Sequence, residues 1–480
     1  MKRIVRAVVV IGSLALAFTA SAQEWRERAE TLLAQRQWAE ARDAYGVALE
    51  SHPNDVDSRY GLAIALAQSG DADGAVETLV RAIGAGFVDF HRLERDSRWD
   101  PIRGRREFRA ILAGWRDLLD ARADTNEAAL RRLFGAGHRV SRDQRLRLIY
   151  SSAWRPESFE LARHELDSVA AWAFVTLFDE PAPDDPHPDP WVSVILPTPE
   201  KFTAMMMTLG IGANVGGIYD QDRLQLIGRD IGPSLRHEFL HVLHWRLLTR
   251  TGQRHPDWIM EGLGALVEDM DPDPETPGAV RPALSWRTNI AKQLLDIGRL
   301  VSIRDLAEMD RETFRGRRPN ANYAQARAVM LFLDQRGDLG PFFRRYVEQY
   351  DTDQTGLTAL LSTLGLDAAG FDAAFRAWLA DLPEAPEEIL PGMASLGVTV
   401  GAGRGDGPVI EAIPHGSPAR AAGLRLGDAI LAIDGRGTRT LIDLVRILAQ
   451  QKPGQTVTVT ARRGRRVLDV RVTLVERGPD

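Results

Sequence analysis

Two histidines one helical turn apart, with a glutamate beside the first, constrain this chain more than any other feature: His237-Glu238-Phe239-Leu240-His241. Side chains at i and i+4 share one face of a helix, so both imidazoles can reach a single metal ion. Glu238 then stands next to that ion, placed to take a proton from a water the ion activates. An apolar side made of Leu235, Phe239, Leu240, Val242, Leu243 and Leu247 supports the helix, and Gly232-Pro233-Ser234 gives it a start with Ser234 as N-cap. Catalytic zinc takes three protein ligands and keeps an open position, so a second element must bring the third. Asp257 can cap a second helix that carries Glu261 in its first turns, and the small Gly262, Gly264 and Ala265 permit close packing. His244 shares a face with both histidines but lies roughly 10 Å along the axis from His237, too spread for one ion. Glu261 is therefore the expected third ligand, and the fold must cross two helices at this point.

Other histidines lack this arrangement. His164-Glu165-Leu166 begins in the same way but has Ser168 where the second histidine belongs, and reads as an ordinary helix face. His52, His91, His138, His187 and His415 have no partner at ligand spacing and are expected on the solvent side. Gly210-Ile211-Gly212 and the glycine-rich 401–407 read as turns, not nucleotide loops.

HEFLH followed by DWIMEGLGALVED resembles the gluzincin metallopeptidases, specifically the bacterial peptidase MA-like family. Gly216-Gly217-Ile218-Tyr219-Asp220 and the strand 223–227 resemble that family's segment ahead of the metal helix. The resemblance covers roughly residues 191–379. It implies an α+β, thermolysin-like zincin domain holding one Zn2+ per chain through His237, His241 and Glu261, with Glu238 as general base. It further implies that Glu268, seven residues past Glu261 and on the same helical face, orients a ligand histidine from behind. Tyr323 resembles an oxyanion-donating tyrosine, with a packing role as the alternative. By family geometry, strand 223–227 is expected to be the edge along which an extended peptide lies. Gly264 and Leu266 stand where the family has alanine and an aromatic, which leaves the pocket's shape open.

The rest of the chain reads as two further modules and a leader. Lys2, Arg3 and Arg6, an apolar run over 7–18 and Ala20-Ser21-Ala22 form a signal peptide over 1–22, with an uncleaved anchor as the alternative. No cysteine is present, so neither a disulfide nor a lipid-modified cysteine is available. Removing the three leader cations from the 60 basic residues leaves 57 against 66 acidic ones, a formal charge of −9 that argues against nucleic acid as a partner. A periplasmic or secreted location is expected. Over 23–119, Ala29, Ala41, Tyr45 and Ala48 recur 34 residues later as Ala63, Ala75, Leu79 and Ala82, the period of a tetratricopeptide-like helical region. Only about two units are visible, so 87–119 is expected to add capping helices or to dock on the next domain. That domain spans 120–381, with 120–180 mostly helical, a strand over 191–196 and helices over 321–335, 339–349 and 369–380. A Pro-rich linker, 382–391, leads to 392–477.

This last segment carries Gly416-Ser417-Pro418-Ala419, Ala422-Gly423-Leu424, Gly427-Asp428-Ala429-Ile430 and Ile433-Asp434-Gly435, and resembles a PDZ domain, a small β-barrel or sandwich with two helices. The resemblance implies that amides around Leu396, Gly397 and Val398 bind a C-terminal carboxylate, the peptide adding as a strand beside 398–400 against a helix at 441–448. A groove that serves packing alone is the alternative. Together these features read as an exported zinc metallopeptidase whose flanking modules bind protein substrates or partners. The alternatives are a non-catalytic adaptor with an inactive zincin domain, and a PDZ-containing glycyl-type aminopeptidase.

Overall fold

The computed structural model describes residues 20–211, 215–229, 232–401, 407–438 and 440–478, with side chains from residue 23 onward. The expected leader's apolar run, Gly212 and the middle of the 401–407 turn lie outside them.

Four helices open the described chain as two antiparallel hairpins: α1 (Ala20–Ala34), α2 (Trp38–Ser51), α3 (Val56–Gln68) and α4 (Ala72–Ala85). Asp55 and Asp71 cap α3 and α4 by accepting from the amides of Ser58 and Gly74. The repeating residues face inward: Ala29, Ala41, Ala63, Ala75, Leu79 and Ala82 are fully buried. A side chain at Gly61 would collide with the ring of Tyr45, so this glycine sets how closely α2 and α3 approach. Short helices then lead to α5 (Trp115–Phe134). This stretch docks as expected: Arg95 donates to the carbonyls of Thr249 and Arg250, and Trp115 Nε1 to the carbonyl of Pro188 at 3.1 Å. The expected division at 119/120 falls inside α5.

A five-stranded sheet follows, built of β1 (Arg139–Asp143), β2 (Leu148–Ser152), β3 (Val192–Leu196), β4 (Gly217–Asp220) and β5 (Gln225–Gly228), in the order β1-β2-β3-β5-β4. β2, β3 and β5 run parallel, and β1 and β4 are antiparallel at the two edges. The region 120–180 is mostly helical, and between its helices it also holds the β1–β2 hairpin: Leu148, Ile149 and Tyr150 are buried on both faces while arginines line β1. One expectation is corrected. Strand β5, expected as the edge, lies inside the sheet, because the turn ending at Leu224 (φ 52°) folds Gly217–Asp220 back along it. β4 is the edge.

One face of the sheet carries α6 (Pro156–Thr176) and the motif helix α8 (Pro233–Thr251), which share a core with Val192, Val194 and Leu226; α7 (Pro199–Thr208) lies on the other. Strands alternate their side chains, so Ile149, Ile195 and Ile227 point the other way and join the core of the N-terminal helices. Beyond α8 come α9 (Asp257–Leu266), α10 (Trp286–Asp296), a short helix at Ile303–Ala307, α11 (Arg311–Gly316), α12 (Pro319–Gln335) and three more helices ending at Asp381. The 382–391 segment is pinned to α10: Ala385 exchanges two hydrogen bonds with Asn289, at 2.8 and 2.9 Å, and Lys292 donates to the carbonyls of Ala380 and Leu382.

The C-terminal module has its own core around Ile410, Ile430, Leu444 and Val459. Its sheet contains β6 (Thr399–Gly401), β7 (Val409–Ala412), β8 (Ala429–Ile433), β9 (Thr456–Arg463) and β10 (Arg466–Thr473), ordered β10-β9-β8-β7-β6, with helix α13 (Leu441–Ala449) beside it. One face of α13 packs on the body: Arg446 binds Asp269 at 2.5 Å and the Met270 carbonyl at 3.1 Å, while Gln450 reaches Asp271. No described helix is long and apolar enough to cross a membrane.

Candidate metal centre

Helix α8 starts two residues earlier than the sequence implies. Gly232 is the N-cap and Pro233 fills the first turn, where its missing N–H costs nothing. Ser234 does not cap the helix, and its side chain instead abuts Gly216, where a Cβ would clash with it. Likewise Pro256, not Asp257, caps α9, and Asp257 receives Arg315 at 2.8 Å. Both helices cross so that three donor atoms meet: His237 Nε2 is 3.0 Å from His241 Nε2 and 3.2 Å from Glu261 Oε2, which is 3.5 Å from His241 Nε2. Neighbouring ligands of a tetrahedral zinc with bonds of roughly 2.0–2.1 Å lie about 3.3–3.4 Å apart. The spacing fits.

The surroundings favour a cation there. Burial disfavours a charged His237, yet Glu261 and Glu268 on either side outweigh it and raise its pKa to about 10. Burial works against ionised carboxylates too, but His241 and His237 hold Glu261 well below the ordinary range, and His237 with Arg287 brings Glu268 down to about 2. Two ionised acids therefore flank the imidazoles. Gly264 completes the cradle: a Cβ there would lie 2.9 Å from His237 Nε2 and 3.1 Å from His241 Cε1, so α9 lies flush against both rings.

Further side chains fix the donors. Glu268 accepts at 2.9 Å from His237 Nδ1, which leaves the Nε2 lone pair for a metal. It does so from beyond the end of α9, which stops at Leu266, rather than from the same helical face. Arg287 of α10 grips Glu268 with two bonds of 2.6 and 2.9 Å. Arg315 of α11 holds Glu261 Oε1 at 2.7 Å, leaving Oε2 to the imidazoles. Neither arginine was visible as a site residue, since each comes from a separate helix with no fixed spacing to the motif. Glu238 accepts the backbone N–H of Tyr219, in edge strand β4, at 2.8 Å. Tyr323 stacks on His237 with ring centroids 6.5 Å apart and also meets Phe314. Burial and nearby Glu261 raise the pKa of its hydroxyl.

His244 stays outside this set. It is fully buried and faces His255 Nδ1 at 2.7 Å, and burial lowers the pKa of both, His255 to about 3. Two histidines expected on the solvent side are covered: His138 is buried against Phe134 and bonded to Ser151, and His91 is half-buried against Trp115. The N-terminal helices and their docking segment cover both. His415 is exposed, His164 lies on an exposed helix face, and His52 and His187 are partly covered.

In the C-terminal module, Leu396 is buried and Gly397 adopts φ 67°, a conformation glycine takes without strain. The Gly397 N–H donates to Ser395 Oγ at 3.0 Å, and its carbonyl accepts from Ser417 at 2.7 Å. Val398 is half-buried against the core, and β6 is the open edge of the sheet.

Residues 394–474 match the PDZ domain model, and residues 32–92 match the tetratricopeptide repeat model. The chain ends in a PDZ domain and begins with tetratricopeptide repeats. Among solved structures, the chain is similar to one described as the HtrA-type protease AlgW with decapeptide, at 25% identity over 18% of this chain and 30% of that one, with a TM-score of 0.17. It is similar to the serine endoprotease from Yersinia pestis at 20% identity, covering 23% of this chain and 36% of that one, with a TM-score of 0.16. An aminopeptidase N family protein from Idiomarina loihiensis aligns over 68% of this chain and 65% of that one, at 15% identity and a TM-score of 0.26. The chain thus spans about a third of the length of the first two. No curated protein matches it.

Proposed function

We propose that this chain is an exported zinc metallopeptidase of the gluzincin type, akin to the bacterial peptidase MA-like proteins. The observation that carries the reading is the meeting of His237 Nε2, His241 Nε2 and Glu261 Oε2 within 3.0–3.5 Å of one another, one residue away from Glu238. Zinc held by these three residues supplies Lewis-acid polarisation of a peptide carbonyl and lowers the pKa of water to about 7. Glu238, steadied by the Tyr219 amide, takes the proton of the attacking water and passes it to the leaving amine. Tyr323 keeps its proton at neutral pH and faces the same centre, which suits a donor to the developing oxyanion. Glu268 and Arg315 hold His237 and Glu261 in place. Edge strand β4, whose Tyr219 N–H is taken by Glu238, offers its outer side to an extended substrate, and β6 of the PDZ domain offers a second edge for a C-terminal tail. The charged leader, its apolar run and the cysteine-free composition support export to the periplasm or beyond.

The test is to load the purified chain with zinc, incubate it with a diverse peptide mixture, and map new termini by mass spectrometry. Cleavage should vanish with chelator and return with zinc. Glu238→Gln should keep one zinc per chain by elemental analysis, because glutamine still accepts from Tyr219, while turnover falls by roughly 10²–10⁴. Equal turnover by that variant would remove Glu238 from the mechanism, and no new termini from the zinc-loaded wild type would overturn the reading.

A further inference from the structure

On the face of the sheet away from the metal centre lies a cavity of about 320 Å³, near the lower end of the roughly 300–1,000 Å³ of ligand pockets. Its walls come from three sources: α5 with Leu119 and Leu130, α7 with Met205, and the sheet with Trp191, Ile195 and Ile227. These sheet residues alternate with those under the metal helix, so the cavity and the metal centre occupy opposite faces.

One wall residue is out of keeping with the rest. Arg122 of α5 is half-buried in the cavity lining, and among the described residues its guanidinium has neither a hydrogen bond nor an ion pair. It lies over Gly86, where a Cβ would come within 2.8 Å of Nη2. Two buried arginines of the body have partners: Arg147 binds Asp120 and the Asp189 carbonyl, and Arg327 binds Ala265, Ala283 and Thr288. Burial alone depresses the pKa of Arg122, with no carboxylate near enough to oppose it. A cation half withdrawn from water and without a protein partner is placed to receive an anion. The other charges of the lining do not supply it: Asp220 pairs with Arg223, and Asp222 is exposed to water.

We propose that this cavity binds a fatty acid, with the carboxylate on Arg122 and the alkyl chain along the apolar walls. An extended peptide fits less well. Strands β3 and β5 spend their backbone groups on each other, and the helical walls satisfy their own. Peptide amides would enter without partners, whereas an alkyl carboxylate has a single polar end to satisfy.

Isothermal titration of the zinc-loaded full chain with dodecanoate, below its micellar concentration, tests this. The expected result is one dodecanoate per chain, at least tenfold weaker binding in Arg122→Leu, and no comparable binding of dodecylammonium. Ala129→Trp, which fills the cavity from α5, should abolish dodecanoate binding with thermal unfolding and zinc content unchanged; it also serves if Arg122→Leu does not fold. Absence of binding, equal affinity in Arg122→Leu, retained affinity in Ala129→Trp, or equal affinity for the cationic amphiphile would each overturn the proposal. So would displacement of dodecanoate by an equal concentration of a peptide with an apolar free C-terminus.

Discussion

At the scale of single residues, the centre depends on what is missing at Gly264 as much as on the charged side chains around it. His237, Glu238 and His241 are legible because their chemistry is tied to helical spacing, whereas Glu261 is expected from a second helix and the need for a third ligand. By the family resemblance, Gly264 stands where alanine is usual and leaves the pocket's shape open. In the structure it is a requirement, since a methyl group there would press on His237 Nε2 and His241 Cε1 at 2.9 and 3.1 Å. The His237 ring is held from behind by Glu268, and α9 by Arg315 through Asp257 and Glu261, so ring and helix have little room to part. Gly264→Ala is therefore expected to lower zinc affinity at least tenfold, in line with what disturbing a ligand's support costs. Competition against a chromophoric chelator measures this, and an unchanged affinity would show that α9 can move away. Arg287 and Arg315 escaped the sequence reading because arginine has no preferred offset to a metal motif. Only the fold brings α10 to Glu268 and α11 to Glu261.

At the scale of elements, the long helices were legible and their starts were not. Apolar periodicity marked 321–335, 339–349 and 369–380, and the structure has helices over nearly the same spans. Ser234 and Asp257 looked like caps, but a proline at or beside the start of α8 and α9 gives Gly232 and Pro256 that place. The β1–β2 hairpin went unread because arginines dilute its alternation. The PDZ helix α13 shows another limit of local sequence: its outward face is committed to the body. Arg446 and Asp269 are 8% and 2% exposed, so their ion pair is shielded from water and its loss leaves a buried carboxylate unpaired. Arg446→Ala should cost about 3–5 kcal/mol in denaturant unfolding of the full chain. Replacing both partners by apolar residues should recover much of that. If the single substitution proves neutral, α13 is not fastened to the body through this pair.

At the scale of the whole molecule, the 34-residue period correctly announced the repeats, and nothing in it announced that they share a core with the sheet. Ile149, Ile195 and Ile227 on the sheet, and Trp191 ahead of β3, are each at most 4% exposed, and they are covered by α5 and the segments that join the repeats to it. Two repeats cannot bury enough apolar surface to stand alone, and the sheet's outer face cannot stay bare without becoming a large apolar patch. Each solves the other's problem. The separate core of the PDZ domain has no such dependence beyond its contacts through α13 and the pinned 382–391 segment. Calorimetry of the full chain should therefore show the repeats and the sheet-bearing body melting in one cooperative transition. Removing residues 23–134 should yield an insoluble body, even though every candidate metal ligand remains. An early, separate melting step for the repeats, or a soluble truncated body that still binds zinc, would mean that the shared core contributes little and that the repeats are an appendage.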